Sequence, residues 1–105
     1  SILGIYPHAM SIPYAVSKAG LHMLAKSLIK EFCEEKIRVN VIAPGFVDTP
    51  WQKAKPQEQR KRIEDKTALK RFAKVEEISN AVQFVVNNGF VNGAILSLDG
   101  GYCYK

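Results

Sequence analysis

The chain has 105 residues, 47% of them hydrophobic and 24% charged, with a formal net charge of +5. That suffices for one small globular domain with a core, while no apolar run approaches the roughly 18 to 20 residues that span a bilayer. The opening SILGIYPHAM lacks a basic segment ahead of an apolar run, so a soluble, cytoplasmic protein without membrane contact is expected.

The elements follow from spacing. Pro13 can end a loop and open a helix. Beyond it Val16, Leu21, Leu24, Leu28 and Phe32, with Ala25 and Ile29 beside them, keep helical periodicity to about Lys36, which predicts a long amphipathic helix. Ile37 to Ala43 reads IRVNVIA, a β-branched run stopped by Pro44-Gly45, and predicts a buried strand ending in a loop. From Phe46 to Lys74 hydrophobicity falls and charges accumulate, with Pro50 and Pro56 near the start; a mobile loop followed by one or two short exposed helices is expected. Ile78, Ala81, Val82, Val85 and Val86 restore helical spacing over 75–87, with Asn88-Gly89 as the stop. Gly93 then leads into AILSL, a short strand closed by Asp99-Gly100-Gly101. Strand, helix and strand, with continuous rather than alternating apolar strands, predicts an α/β fold in which a right-handed crossover joins strands of a parallel sheet covered by helices.

The cysteines and histidines carry no site. Cys33 and Cys103 stand far apart, and Cys33 falls within a helical pattern, so free, buried or half-buried thiols are expected rather than a disulfide or a metal site. His8 and His22 are too widely separated and too lightly accompanied to hold a metal, and are read as structural.

Chemistry concentrates at Tyr14 and Lys18. Four apart on a helix puts phenol and ammonium on one face, a turn apart. An isolated phenol, with a pKa of about 10, is a poor base at neutral pH until a nearby positive charge favours its ionised form. Composition alone would supply about 0.4 such pairs in a chain with these tyrosine and lysine contents, so the pair acquires meaning only from its surroundings. In open parallel sheets ligands gather beyond the carboxyl ends of the strands, where Pro44-Gly45-Phe46-Val47-Asp48-Thr49 is expected to lie. Glycine there permits close approach to a flat ligand, and the following amides and the Thr49 hydroxyl offer donors. An ordinary turn between strand and loop would use the same residues. Trp51 reads equally as a cover for a pocket or as a packing anchor, and Asn40 as a residue serving backbone or packing needs within its strand.

Ser1, Tyr14-Ala-Val-Ser-Lys18-Ala-Gly-Leu, Arg38-Val-Asn-Val-Ile-Ala-Pro-Gly-Phe-Val-Asp-Thr49 and Asn92-Gly-Ala-Ile-Leu-Ser-Leu-Asp-Gly-Gly101 together resemble the carboxyl-terminal half of the classical short-chain dehydrogenase/reductase family, near its 3-oxoacyl-carrier-protein reductases. The resemblance implies the C-terminal half of a Rossmann-like, doubly wound parallel sheet. It implies reduction of a carbonyl to an alcohol, or the reverse, on a small molecule that could be a 3-oxoacyl thioester, with NADP or NAD as cofactor and NADP favoured. Tyr14 would be the general acid or base, Lys18 would favour its ionised form and bind the nicotinamide ribose, and Ser1 would donate to the substrate oxygen. Pro44, Gly45 and the Val47 amide would line the nicotinamide site together with Tyr14 and Lys18, and Thr49 would contact the carboxamide or the phosphates. A homodimer or homotetramer is implied as well.

Between Lys53 and Lys74 lie nine Lys or Arg and three Asp or Glu. A solvated helix face accounts for this; the sharper reading is a docking patch for an acidic acyl carrier protein or a phosphate-bearing acyl substrate. Few aromatics interleave with the charges, which argues against nucleic acid. The sequence contains no counterpart of the family's Gly-rich turn, its NAD or NADP selector, or the Asn counted as its fourth catalytic residue. The expectation is therefore a portion of a longer parent, inactive alone; the alternative is a truncated, non-catalytic binding or oligomerisation module of the same family.

Overall fold

The two predicted strands pair parallel. In the computed structural model, which describes residues 1–7 and 11–102, β1 (Val41–Pro44) lies beside β2 (Ile95–Leu98) in the register Val41 with Ile95 through Pro44 with Leu98. Between them in sequence come α2 (Pro50–Lys53), α3 (Gln57–Asp65) and α4 (Val75–Asn87); α1 (Ile12–Glu31) precedes β1, and a 3-10 turn, Ile2–Gly4, precedes α1. The order α1, β1, α4, β2 is the helix and parallel-strand alternation of an α/β fold. His8 and Cys103 lie outside the described residues.

β1 is shorter than IRVNVIA suggests, its first half being tied to the approach of β2 by side chains as well as by the backbone bond from the Gly93 N–H to the Val39 carbonyl at 2.9 Å. Asn40 donates through Nδ2 to the Val91 carbonyl at 3.0 Å and accepts the Ala94 N–H at 3.0 Å, while Asn92 Oδ1 accepts the Val39 N–H at 2.9 Å. These bonds set the register before the strands begin. Arg38 performs the same service for α4: its guanidinium donates to the carbonyls of Val85, Val86, Asn88 and Val91 at 2.8 to 3.1 Å. A cation on the last carbonyls of a helix satisfies acceptors that have no intrahelical partner and complements the helix dipole. The crossover helix is thus clamped to the entrance of the sheet.

α1 begins with Pro13 in its first turn, as expected, but ends at Glu31 instead of near Lys36. Lys36 adopts φ 57°, a left-handed conformation that closes the turn after the helix. The helix is not the simple amphipathic element predicted. Val16, Leu21 and Leu24 are exposed, and its buried residues are His22 and Ala25, because the apolar residues occupy more than one face. Cys33, in the turn that follows, is exposed rather than half-buried.

The stretch 46–74 forms two short helices, as predicted, and its packing centre is Phe72. That ring is buried, meets Phe46 edge-on with centroids 6.2 Å apart, and carries the Arg60 guanidinium 4.3 Å above it. Arg71 then makes a two-pronged bond to Glu77 at 2.6 and 2.8 Å, and Glu77 also accepts the Lys74 N–H at the start of α4. The Arg71 bonds first, and then the Lys74 amide, pull the Glu77 carboxyl from the ordinary 4.5 down to about 2. A depressed carboxylate contributes stability that is present above its unfolded value and lost as pH falls through its folded one. Glu77→Gln is therefore expected to lower the denaturation midpoint at pH 6, with the two proteins converging as the pH approaches 2. Salt should shrink the difference, because the pair is solvent-exposed. A difference that persists unchanged at pH 2 would contradict this origin.

Candidate active site

The expected site begins with a turn that sequence reading did not anticipate. Ser1 caps the 3-10 turn, its Oγ accepting the Leu3 N–H at 3.3 Å, which leaves the hydroxyl proton to be donated elsewhere. The turn is seated on α1 through Gly4. A Cβ at that position would stand 2.6 Å from the Lys18 carbonyl carbon and 2.8 Å from both the Lys18 oxygen and the Ala19 nitrogen. Only the absence of a side chain lets the serine-bearing turn rest against the helix at the lysine. His22, one turn further along α1, is 7% exposed and supports the same contact from below. Burial holds its imidazole below the ordinary histidine value, against a hydrogen bond with the Gly4 backbone that raises it.

Tyr14 and Lys18 meet as their spacing predicts. The Lys18 ammonium lies 5.2 Å from the centroid of the Tyr14 ring, within cation–π range. No carboxylate pairs with Lys18 among the described residues, so its charge remains available to the phenol. Tyr14 is 47% exposed, open to a ligand.

Across from the helix, the loop after β1 completes the wall. Gly45 continues the ladder by donating to the Leu98 carbonyl at 2.9 Å. A Cβ there would come within 2.9 Å of the Asp99 Cα, so in this chain the glycine is required by packing against the turn after β2 as well as by any ligand. Val47 forms an isolated parallel bridge with Ala73, but both bonds are made by its neighbours: the Phe46 carbonyl accepts from Ala73 and the Asp48 amide donates to it. Alternation along the strand therefore turns the Val47 N–H to the opposite side. Thr49 sits at the N-cap of α2, where its carbonyl accepts the Gln52 and Lys53 amides and its hydroxyl makes no capping bond.

Part of this arrangement shares one cleft of about 500 Å³. Ser1, Leu3, Tyr14, Gly45, Phe46 and Trp51 line it, so Ser1 and Tyr14 face the start of the glycine loop across a common space, while Lys18, Pro44, Val47 and Thr49 are not part of its wall. Trp51 lines the cleft and is 76% exposed, so it is not a packing anchor. Gln52 is a further lining residue that sequence reading missed; its Oε1 is shielded from solvent and has no donor among the described residues. No periodicity or motif marks it.

A family model described as enoyl-(acyl carrier protein) reductase matches residues 3–103. The chain belongs to the short-chain dehydrogenase/reductase family. It is 36% identical over 103 residues to a 3-oxoacyl-[acyl-carrier-protein] reductase of Thermotoga maritima, covering 96% of this chain and 42% of that protein. It is 38% identical over 104 residues to a cis-4-hydroxycyclohexanecarboxylate dehydrogenase of Sinomonas cyclohexanicum, covering 97% of this chain and 42% of the other. Among solved structures, a 4-hydroxyisoleucine dehydrogenase complexed with NADH superposes with a TM-score of 0.89 over 100% of this chain and 45% of its own, at 24% identity, a likeness of fold. The chain thus spans less than half the length of these relatives, and the exposed side chains of Val16 and Leu24 on α1, with Phe90 at 99% exposure, lie uncovered within it.

The residues present fit a nicotinamide. The Val47 N–H, not used in the bridge to Ala73, and the Thr49 hydroxyl, which makes no capping bond, would be donors to a carboxamide or phosphate oxygen beside Pro44 and Gly45 at the carboxyl end of β1.

Proposed function

We propose that this chain carries the proton-transfer side of an NAD(P)-dependent oxidoreductase that reduces a carbonyl to an alcohol, or runs the reverse reaction. The observation that carries the reading is the cleft shared by Ser1, Tyr14 and the Gly45-Phe46 loop, with the Lys18 ammonium, which meets no carboxylate among the described residues, over the Tyr14 ring. In reduction Tyr14 gives its hydroxyl proton to the carbonyl oxygen as negative charge develops there; in oxidation it takes the proton from the alcohol. Ser1 donates a second hydrogen bond to the same oxygen, with its own acceptor lone pair already engaged by Leu3. Lys18, whose ammonium lies over the Tyr14 ring, would bind the nicotinamide ribose, and Val47 and Thr49 would hold the carboxamide end. A bound nicotinamide supplies or accepts the hydride.

NADP, or else NAD, fills the cofactor role, and the substrate is a small carbonyl or alcohol with a 3-oxoacyl thioester first among candidates. An acidic acyl carrier protein is the proposed macromolecular partner, and a homodimer or homotetramer the proposed assembly. The names of the matching family and of the Thermotoga relative differ in the bond reduced, C=C for an enoyl and C=O for a 3-oxoacyl substrate. Two hydroxyl donors on one cleft suit an oxygen at the reacting centre, which favours the carbonyl.

The test uses the complete protein that carries this sequence, with NADPH and NADH consumption followed on matched 3-oxoacyl and enoyl thioesters. Higher kcat/KM on the 3-oxoacyl substrate is expected. Preference for the enoyl substrate, or turnover of neither compound nor of any small ketone, would overturn the reading.

A further inference from the structure

Part of the charge excess of 53–74 is absorbed by local pairs, and of the other cations Lys53, Lys55 and Arg60 gather in one place, Lys66 and Lys74 lying outside it. Arg62 pairs with Glu58, Lys61 and Lys70 with Asp65, and Arg71 with Glu77. α2 and α3 wall a groove of about 490 Å³ lined by Lys53, Lys55, Gln57, Arg60, Lys61 and Glu64. Its brace is Arg60, stacked on Phe72 and donating through Nη2 to Asp48 at 2.9 Å; its Nη1 is shielded from solvent and has no acceptor among the described residues. Lys53 stands 3.8 Å from Asp48, at the limit of an ion pair. Lys55 has no carboxylate within ion-pair distance among the described residues, and its ammonium lies 5.8 Å from the centroid of the Phe46 ring. Four cations therefore face one lining carboxylate, Glu64, with Asp48 behind Arg60 and Asp65 holding Lys61.

We propose that this groove binds a phosphate ester on the far arm of the substrate. A phosphate presents several acceptor oxygens and more than one negative charge, enough to engage the two lysines beside the charge of Arg60. The location fits a substrate that also enters the cleft, because one helical turn separates the two spaces: Trp51 and Gln52 of α2 face the cleft, Lys53 of the same turn faces the groove, and Lys55 rests on Phe46, itself part of the cleft wall. A thioester with its carbonyl at Tyr14 would pass Trp51 and bring its phosphate to Lys53 and Lys55. The reacting end of this picture rests on the proposed carbonyl chemistry; the phosphate end stands on the charges of the groove.

Calorimetry on the complete protein, without cofactor or turnover, tests the groove alone. 4′-Phosphopantetheine is expected to bind about tenfold tighter than pantetheine, the effect of a charge-assisted contact or two. The advantage should vanish in Lys53→Glu/Lys55→Glu and shrink in the milder Lys55→Gln, and inorganic phosphate should compete. If coenzyme A gains this advantage and phosphopantetheine does not, the groove takes a phosphate ester on the nucleotide portion. Equal affinities of pantetheine, phosphopantetheine and coenzyme A, or an advantage that survives the double substitution, would overturn the site. In turnover, the double variant should raise KM about tenfold for a 3-oxoacyl phosphopantetheine thioester and leave the N-acetylcysteamine thioester unchanged. Absence of turnover on both in the unaltered protein would count against the carbonyl reading, while the binding result decides the groove.

Discussion

Replacing Tyr14 with Phe, in the complete protein that carries this sequence, should lower kcat for carbonyl reduction by about a thousandfold, within the range that a positioned general acid supplies. The substitution is clean on structural grounds. Phe keeps the ring over which the Lys18 ammonium lies, and Tyr14 is half-exposed on α1, so the helix and the cation contact survive and only the proton donor is lost. Cofactor affinity should change by no more than about threefold, because a group acting in the transition state affects kcat more than binding. Steady-state kinetics beside a cofactor fluorescence titration checks both halves. Retention of most of the turnover would refute the proton-donor role, and parallel loss of cofactor binding would show that Tyr14 mainly shapes the nucleotide pocket.

Gly4→Ala should be nearly as damaging, although residue 4 is no candidate for chemistry. The new methyl would press on the Lys18 carbonyl and the Ala19 nitrogen, all backbone atoms that cannot rotate aside. The 3-10 turn must lift from α1 and carry Ser1 with it. Overpacking of this kind costs about 1 to 3 kcal/mol, and displacement of a positioned donor by about 1 Å lowers kcat/KM by about a hundredfold. Thermal unfolding and kcat/KM measured together test this. Unchanged values of both would mean that the turn is not seated as described, whereas lost stability with full activity would separate Gly4 from the placement of Ser1.

Local signals were read correctly where the interactions are local. α4 runs from Val75 to Asn87 because its apolar period and its stop are both written within the segment, and the parallel pairing of β1 and β2 followed from their continuous apolar runs. The misjudged features depend on partners distant in sequence. β1 begins only after Asn40, which bonds to Val91 and Ala94 across the entrance of the sheet. Arg38 looks like one more strand-side cation until it is seen holding the end of α4. Gly4 is an unremarkable glycine until Lys18 lies beneath it, and Gly45, expected to make room for a ligand, also makes room for Asp99. Of the site, the Tyr14 and Lys18 pair was legible because four residues on a helix fix its geometry, and the loop 44–49 because it ends a strand. Gln52 was not, since only the folded cleft reveals an acceptor oxygen without a donor among the described residues.

Ser1 and Tyr14 are expected to converge on one substrate oxygen while the Val47 loop holds the cofactor. A crystal structure of the complete protein with NAD(P) and a bound ketone or alcohol tests it most directly. Both hydroxyl oxygens are predicted to lie within about 2.6 to 3.2 Å of the same substrate oxygen, with the Val47 N–H donating to the carboxamide. A substrate oxygen bound away from Tyr14, or a Val47 amide turned from the cofactor, would contradict the account.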